Sequence, residues 1–186
     1  MFSGIVSSVG IVNQIIRKNA GAVLTVQGGD GFRGFELGES IAVNGVCLTV
    51  RDSTKDTFTV DLSTETISRT CFKSIEGGGS VNLERSLTPS DKISGHFVSG
   101  HVDCVGRITS IDRKSGEVIF CFEYPIEYTP YIIEKGSVAI DGISLTAFSC
   151  LGNVFSVSII PFTFSHTNLA SRKMRDTVNI ECDMIG

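Results

Sequence analysis

Two histidines, His96 and His101, stand five residues apart in a glycine-rich stretch, Ser94-Gly95-His96-Phe97-Val98-Ser99-Gly100-His101-Val102-Asp103. Imidazole titrates near neutral pH, so either ring is suited to general acid–base work; both also suit satisfied polar groups at a junction between domains. Cys47 follows the pair Asn44-Gly45, and Ser144 follows Asp141-Gly142. A hydroxyl can polarise a bound water or stabilise developing charge, while a thiol can donate weakly or add reversibly to an electrophilic carbon. On spacing alone Cys47 reads rather as a small buried filler. The six cysteines (Cys47, Cys71, Cys104, Cys121, Cys150, Cys182) contain no C-x-x-C and make no zinc pattern with the three histidines, so no metal is expected. Free thiols rather than disulfides are expected of them.

The elements that must position these groups are written twice. At a register of 97 residues, Ser40-Ile41-Ala42-Val43-Asn44-Gly45-Val46-Cys47-Leu48-Thr49 lies over Ser137-Val138-Ala139-Ile140-Asp141-Gly142-Ile143-Ser144-Leu145-Thr146, and the match runs without a gap to Val81-Asn82-Leu83-Glu84 over Val178-Asn179-Ile180-Glu181. Positions 40–84 give 14 identities in 45 pairs, against about 3 expected at average composition. At a register of 96, Ser3-Gly4 lies over Ser99-Gly100. The chain therefore reads as two homologous units, 1–88 and 89–186, joined by a linker near 86–93. Cys47 and Ser144 are repeat mates.

Within each unit the pattern is of short runs rich in Val, Ile, Thr and Phe, such as 10–12, 22–26, 40–43, 47–50, 57–62 and 80–83, separated by Gly, Asp and Asn turns. Asn44-Gly45 is a strong hairpin signal, because both central residues of a type I′ turn need positive φ; Asp141-Gly142 repeats it. The expected fold is all-β, two similar six-stranded antiparallel barrels related by duplication, since closure removes strand edges that invite aggregation. Residues 65–72 and 163–172 read as short helices between strands. Two like units imply two like pockets, suited to two copies of one ligand or to one reaction partner each; duplication for stability alone is the other reading.

Composition removes other classes. Sixteen Lys+Arg against 20 Asp+Glu leave a formal net charge of −4, and with no basic block neither nucleic acid nor an anionic membrane is an expected partner. With 41% hydrophobic residues the chain is expected to fold rather than remain disordered. No apolar run suits a membrane span and no basic residue precedes Arg17, so neither a spanning helix nor a secretory signal is expected, and the expected location is cytoplasmic.

Met1-Phe2-Ser3-Gly4-Ile5-Val6, Asn44-Gly45-Val46-Cys47-Leu48-Thr49-Val50, the His96–His101 stretch, and Lys135-Gly136 leading to Asp141-Gly142-Ile143-Ser144-Leu145-Thr146 together resemble the riboflavin synthase family over nearly the whole chain. The resemblance implies two six-stranded Greek-key barrels, a homotrimer, and a dismutation of two 6,7-dimethyl-8-ribityllumazine molecules to riboflavin and 5-amino-6-ribitylaminouracil, with no cofactor. It implies one pocket built by Cys47, Leu48, Thr49, Asp61, Leu62, Ser63, Thr64, Glu65, Thr66, Gly100, His101, Val102 and Lys135. The opposing pocket is implied at Gly4, Ile5, Val6, Ser144, Leu145, Thr146, Ile160, Pro161, Phe162, Thr163 and Phe164. The catalytic candidates are Cys47, His96, His101, Asp141, Ser144 and Thr146. Thr49 and Thr146 suit a pyrimidinedione edge, though a strand Thr is also simply a β-former; His166, mate of Arg69, reads as structural. The family commonly has Gly-Gly-His at Ser94-Gly95-His96 and Gly at Cys104, and it usually continues past the position of Gly186 into a helix that holds the trimer, so a weakened trimer is expected. The alternatives are a non-catalytic lumazine or flavin carrier, like the antenna proteins of luminous bacteria, and a scaffolding β-protein, which leaves the polar residues after both hairpins without a role.

Overall fold

The computed structural model describes residues 1–114 and 116–185. In the first unit, β1 (Ser8–Lys18), β2 (Gly21–Gln27), β3 (Ser40–Val43), β4 (Val46–Ser53), β5 (Thr57–Leu62) and β6 (Ser80–Arg85) form a closed antiparallel barrel in the order β1-β2-β5-β4-β3-β6, with β6 pairing back onto β1. Alternation explains the closure: along β5, Phe58, Val60 and Leu62 are buried and Asp61 is exposed. A fully buried Phe or Val contributes about 1.5–3 kcal/mol, against roughly 0.2–1 kcal/mol for an outward cross-strand pair such as Thr25–Thr59. The inward face therefore sets the register. A short helix, α1 (Thr64–Arg69), follows β5, capped by Ser63, whose Oγ accepts from Thr66 N at 3.0 Å.

The second unit repeats the order of elements, but its sheet does not close into the expected second six-stranded barrel. Its strands β7 (Cys104–Lys114), β8 (Glu117–Glu123), β9 (Ser137–Ile140), β10 (Ile143–Thr146), β11 (Phe148–Leu151), β12 (Val154–Ile159) and β13 (Thr177–Cys182) form a curled half-barrel of seven strands ordered β10-β9-β13-β7-β8-β12-β11, left open between β10 and β11 where the fourth strand is broken. The two edge strands are consecutive in the chain, separated by Ala147 alone, so the expected fourth strand is broken in two there. Its counterpart in β4 carries only a register shift between Val50 and Asp52. The break is larger in the second unit because Ser149 turns to φ 51° and the β11–β12 register slips between Phe148 and Leu151. Phe120, Phe122 and Phe155 fill the concave side of this open second barrel, each wholly buried, and α2 (Pro161–Ser165) follows β12 as α1 follows β5.

The units meet hairpin to hairpin. Asn44 and Asp141 both take φ 46°, and Gly45 and Gly142 both take φ 77°, as two type I′ turns require. A Cβ on Gly45 would lie 2.6 Å from Gly142 N, and one on Gly142 would lie 2.7 Å from Gly45 N. Around this contact Asn82 Nδ2 donates to Asp141 O and Asn179 Nδ2 donates to Asn44 O, each at 2.9 Å. Asn168 bridges Asn44 and Asp141, and Arg172 neutralises the wholly buried Asp141. Phe2, Val98, Ala42 and Ala139 make a small apolar core between the barrels.

Gly45→Ala and Gly142→Ala are expected to lose more stability in urea unfolding than Gly38→Ala. At Gly38 the backbone is equally left-handed, φ 84°, but a Cβ meets nothing within 4 Å, so only the conformational cost of about 1–2 kcal/mol applies. The hairpin variants carry a further cost of about 1–3 kcal/mol from forcing a methyl into the contact.

Candidate functional site

Two straps cross between the barrels. Residues 2–6, which lead into the first unit, and 97–102, which lead into the second, pair at Phe2 and Val98 (Phe2 N to Val98 O 2.7 Å, Val98 N to Phe2 O 3.1 Å). Each then runs onto the other unit's hairpin strand. Ser144 N on β10 donates to Gly4 O at 2.7 Å, and Cys47 N on β4 donates to Gly100 O at 2.9 Å. Gly4 and Gly100 have φ 74° and 85°, and a Cβ on either would come within 2.6 Å of Ser144 Cβ and 2.5 Å of Cys47 Cβ respectively. Only glycine lets the straps lie this close.

Where strap 97–102 sits on β4 lies a cavity of about 190 Å³ lined by Cys47, Ser63, Glu65, Thr66, Arg69, Gly100, His101 and Val102, among others. Cys47 faces it because its neighbours Val46 and Leu48 point into the barrel core. His101 is exposed, and its N–H donates to Ser99 Oγ at 3.0 Å. The equivalent cavity of the second unit, about 290 Å³, is lined by Ser144, Leu145, Thr146, Phe148, Ser158, Ile159, Ile160 and Thr163. Here the structure joins two of the chemical candidates: His96 Nδ1 lies 2.7 Å from Ser144 Oγ. Burial holds the His96 imidazole below its ordinary pKa, opposed in part by the Asp183 carboxylate, and its Nε2 is buried with no partner among the described residues. A larger polar cavity of about 360 Å³, bordered by Cys71, Ser80, Ser171 and Arg172, contains none of the catalytic candidates.

Other candidates lie elsewhere, for identifiable reasons. Leu48 and Leu62 occupy inward positions of their strands and belong to the first core, so neither side chain reaches the Cys47 cavity. Asp141 is sealed in the junction by Arg172, Asn168 and the Asn179 N–H. Lys135 belongs to the second barrel, not the Cys47 cavity: it is exposed at φ 64° and its N–H donates to Ala147 O. Thr49, Thr64 and Asp61 are exposed, Asp61 pairing with Arg51 at 2.8 Å. Ile160, which lines the second cavity, is exposed; Ile5 and Phe162 are exposed outside its lining, Phe162 stacking on His166, whereas Val6 and Phe164 pack against the second core; Pro161 opens α2. The His96–Ser144 contact had no signal in spacing, and Asp183 lies beyond the last repeated strand.

The lumazine binding domain model matches the chain twice, over residues 3–86 and 99–183. The riboflavin synthase of Bacillus subtilis (strain 168) is 40% identical over 186 residues, covering 100% of this chain and 86% of its own length. That of Photobacterium leiognathi is 41% identical over 186 residues, covering 100% and 85%, and that of Saccharomyces cerevisiae is 38% identical over 206 residues, covering 100% and 83%. Among solved structures, LumP complexed with riboflavin superposes with a TM-score of 0.91 at 22% identity, over 98% of this chain and 99% of that one. LumP complexed with 6,7-dimethyl-8-(1'-D-ribityl) lumazine gives 0.89 at 22% identity over the same shares. The likeness to LumP shows the fold alone.

Because burial disfavours the charged ring, His96 is expected to stay neutral to more acidic pH than the ordinary histidine value of 6.5. NMR titration of the imidazole signals checks this: a His96 midpoint at or above 6.5 would contradict the buried contact with Ser144.

Proposed function

The chain belongs to the riboflavin synthase family, with two copies of the lumazine binding domain, and from that premise we propose that it binds two molecules of 6,7-dimethyl-8-ribityllumazine and transfers a four-carbon unit between them. The products are riboflavin and 5-amino-6-ribitylaminouracil. The observation that carries this reading is the pair of equivalent but unequal pockets, one presenting the Cys47 thiol and the other a Ser144 hydroxyl bonded to His96. A dismutation needs two copies of one molecule in different roles, and repeat-related pockets with different polar groups supply that.

Each cavity, about 190 and 290 Å³, falls short of the roughly 300–1,000 Å³ that encloses an organic ligand. Each therefore suits one ring with its other face open, to be covered by the second ring. The two cavities have no lining residue in common, and on the family reading the facing pair belongs to two chains of a homotrimer. Ile160, exposed by 59% in the lining of the second pocket, and its near neighbour in sequence Phe162, exposed by 68%, supply apolar surface for that contact. Six free thiols suit a reducing cytoplasm, and no helix among the described residues is long and apolar enough to cross a membrane.

The chemistry rests on the substrate itself. A proton leaves the 7-methyl group because the anion spreads into the electron-poor ring, so the lumazine is its own electron sink. Holding two rings in near-attack geometry removes on the order of 7–11 kcal/mol from the barrier, against a factor of about 10²–10⁴ from positioned acids and bases. Positioning is the larger contribution. In the second pocket the neutral His96 ring exchanges a proton along its bond to Ser144, whose oxygen polarises water or steadies charge on the ring. In the first, the Cys47 thiol donates or adds reversibly to an electrophilic carbon. A non-catalytic carrier is the weaker reading: LumP is 22% identical to this chain, the riboflavin synthases about 40%.

Mixing the protein with the dimethyl lumazine is expected to generate riboflavin fluorescence, and no conversion at any protein concentration would refute the reading. Specific activity per chain is expected to rise with protein concentration, because a complete site needs two chains. Cys47→Ala and Ser144→Ala are each expected to slow turnover at least tenfold, about 1.4 kcal/mol of barrier, while both variants stay folded; full turnover in both would return these residues to packing.

A further inference from the structure

We propose that Glu84 and Glu181 are positioning residues that act crosswise, each holding from one barrel the strap and histidine that complete the other barrel's pocket. The inference rests on the lumazine reading for its catalytic consequence, though not for its geometry. The two glutamates are repeat mates on β6 and β13, 6% and 5% exposed. Among the described residues neither is paired with a cation, and a buried carboxylate is costly unless its oxygens are hydrogen-bonded. Both are satisfied by a strap, and in the same way. Glu84 Oε1 accepts from Ser3 N and Ser3 Oγ at 2.8 Å each, and Oε2 from Gly4 N at 3.1 Å. Glu181 Oε1 accepts from Ser99 N and Ser99 Oγ at 2.6 and 2.8 Å, and Oε2 from Gly100 N at 3.0 Å.

Each clamp continues into a histidine. Ser3 O accepts from the His96 N–H at 3.2 Å, and His96 in turn meets Ser144. Ser99 Oγ, which donates to Glu181, accepts from the His101 N–H at 3.0 Å, and His101 borders the Cys47 cavity. Glu84 in the first barrel thus places Gly4 and His96 at the second barrel's Ser144, while Glu181 in the second barrel places Gly100 and His101 at the first barrel's Cys47. A carboxylate fits this task because it only accepts, and all three strap groups are donors. The isosteric glutamine would turn an NH₂ toward one of those donors. Burial holds both carboxyls above the ordinary glutamate value, and the strap bonds offset that rise only in part.

The crossed wiring gives a readout that simple loss of stability would not. In the full-length protein, the ring signals of His96, His101 and His166 are followed by NMR. Glu84→Gln is expected to shift the His96 signal and its titration and leave His101 in place; Glu181→Gln is expected to do the reverse. His166, stacked on Phe162, serves as the unmoved reference in both. Each variant is expected to lower kcat at least tenfold with less than threefold change in KM. Should a glutamine variant fail to fold, Ser3→Ala and Ser99→Ala, which remove one donor from each clamp, are expected to reproduce the crossed pattern at smaller amplitude. Both histidines moving together, neither moving, or a crossed NMR pattern with unchanged kcat would each overturn the proposal. A wild-type protein that converts no lumazine but shows the crossed pattern would sink the functional reading and leave the clamps standing.

Discussion

The close approach of Gly45 and Gly142 fixes the geometry on which the remainder of the molecule is built. With room for no Cβ on either residue, the two hairpins meet backbone to backbone, and this contact orients one barrel against the other. The reciprocal bonds from Asn82 to the Asp141 carbonyl and from Asn179 to the Asn44 carbonyl hold only at that separation. Cys47 and Ser144 come two residues after these glycines, on strands that leave the contact directly. The placement of the thiol and the hydroxyl is therefore inherited from a backbone contact, and little is left to the surrounding loops.

Symmetry at the junction is approximate, and the departures carry charge. Asn44 is matched by Asp141, and burying that carboxylate is tolerated because Arg172 and the Asn179 N–H satisfy it; an unpaired charge there would cost several kcal/mol. Cys71 and Asn168 are likewise mates. Cys71 N and Asn168 N donate to the side chains of Asn179 and Asn82 in parallel fashion, yet only Asn168 has an amide that spans both hairpins. One repeat thus holds most of the polar fastening, and the other is fastened to it.

The sequence was most legible where a local rule determines conformation. Asn44-Gly45 and Asp141-Gly142 demand positive φ, so the hairpins and the repeat register could be read without tertiary information. The break at Ala147 could not, because a residue that simply leaves a ladder has no distinctive type. Leu48 is instructive: Val46, Leu48 and Val50 alternate with Cys47, Thr49 and Arg51, so the period of the strand already marked Leu48 as inward, but the family motif drew it into the pocket. Asp141 was read by its motif when its burial depended on Arg172, thirty-one residues away. The meeting of His96 with Ser144 spans forty-eight residues and leaves no periodic trace. Glu84 and Glu181 did leave one, an acid at the same place in the Val-Asn-Leu-Glu and Val-Asn-Ile-Glu runs of the two repeats, visible only as a marker of duplication until the straps showed what the acids hold.

The crossing of the straps bears on how such a molecule could have come to exist. Neither strap in this chain rests on the hairpin strand of the unit it leads into; each completes the neighbour. Exchange of an end segment between like units is a low-cost route to a twofold pair, and in a pair of separate chains that exchange depends on how often they meet. Tethering the units through residues 86–97 turns the encounter into an intramolecular one, at an effective concentration in the millimolar range for short linkers. With both repeats in one chain the exchange is independent of dilution, and the two seats carry different side chains, Cys47 and Ser144, since neither has to serve in both.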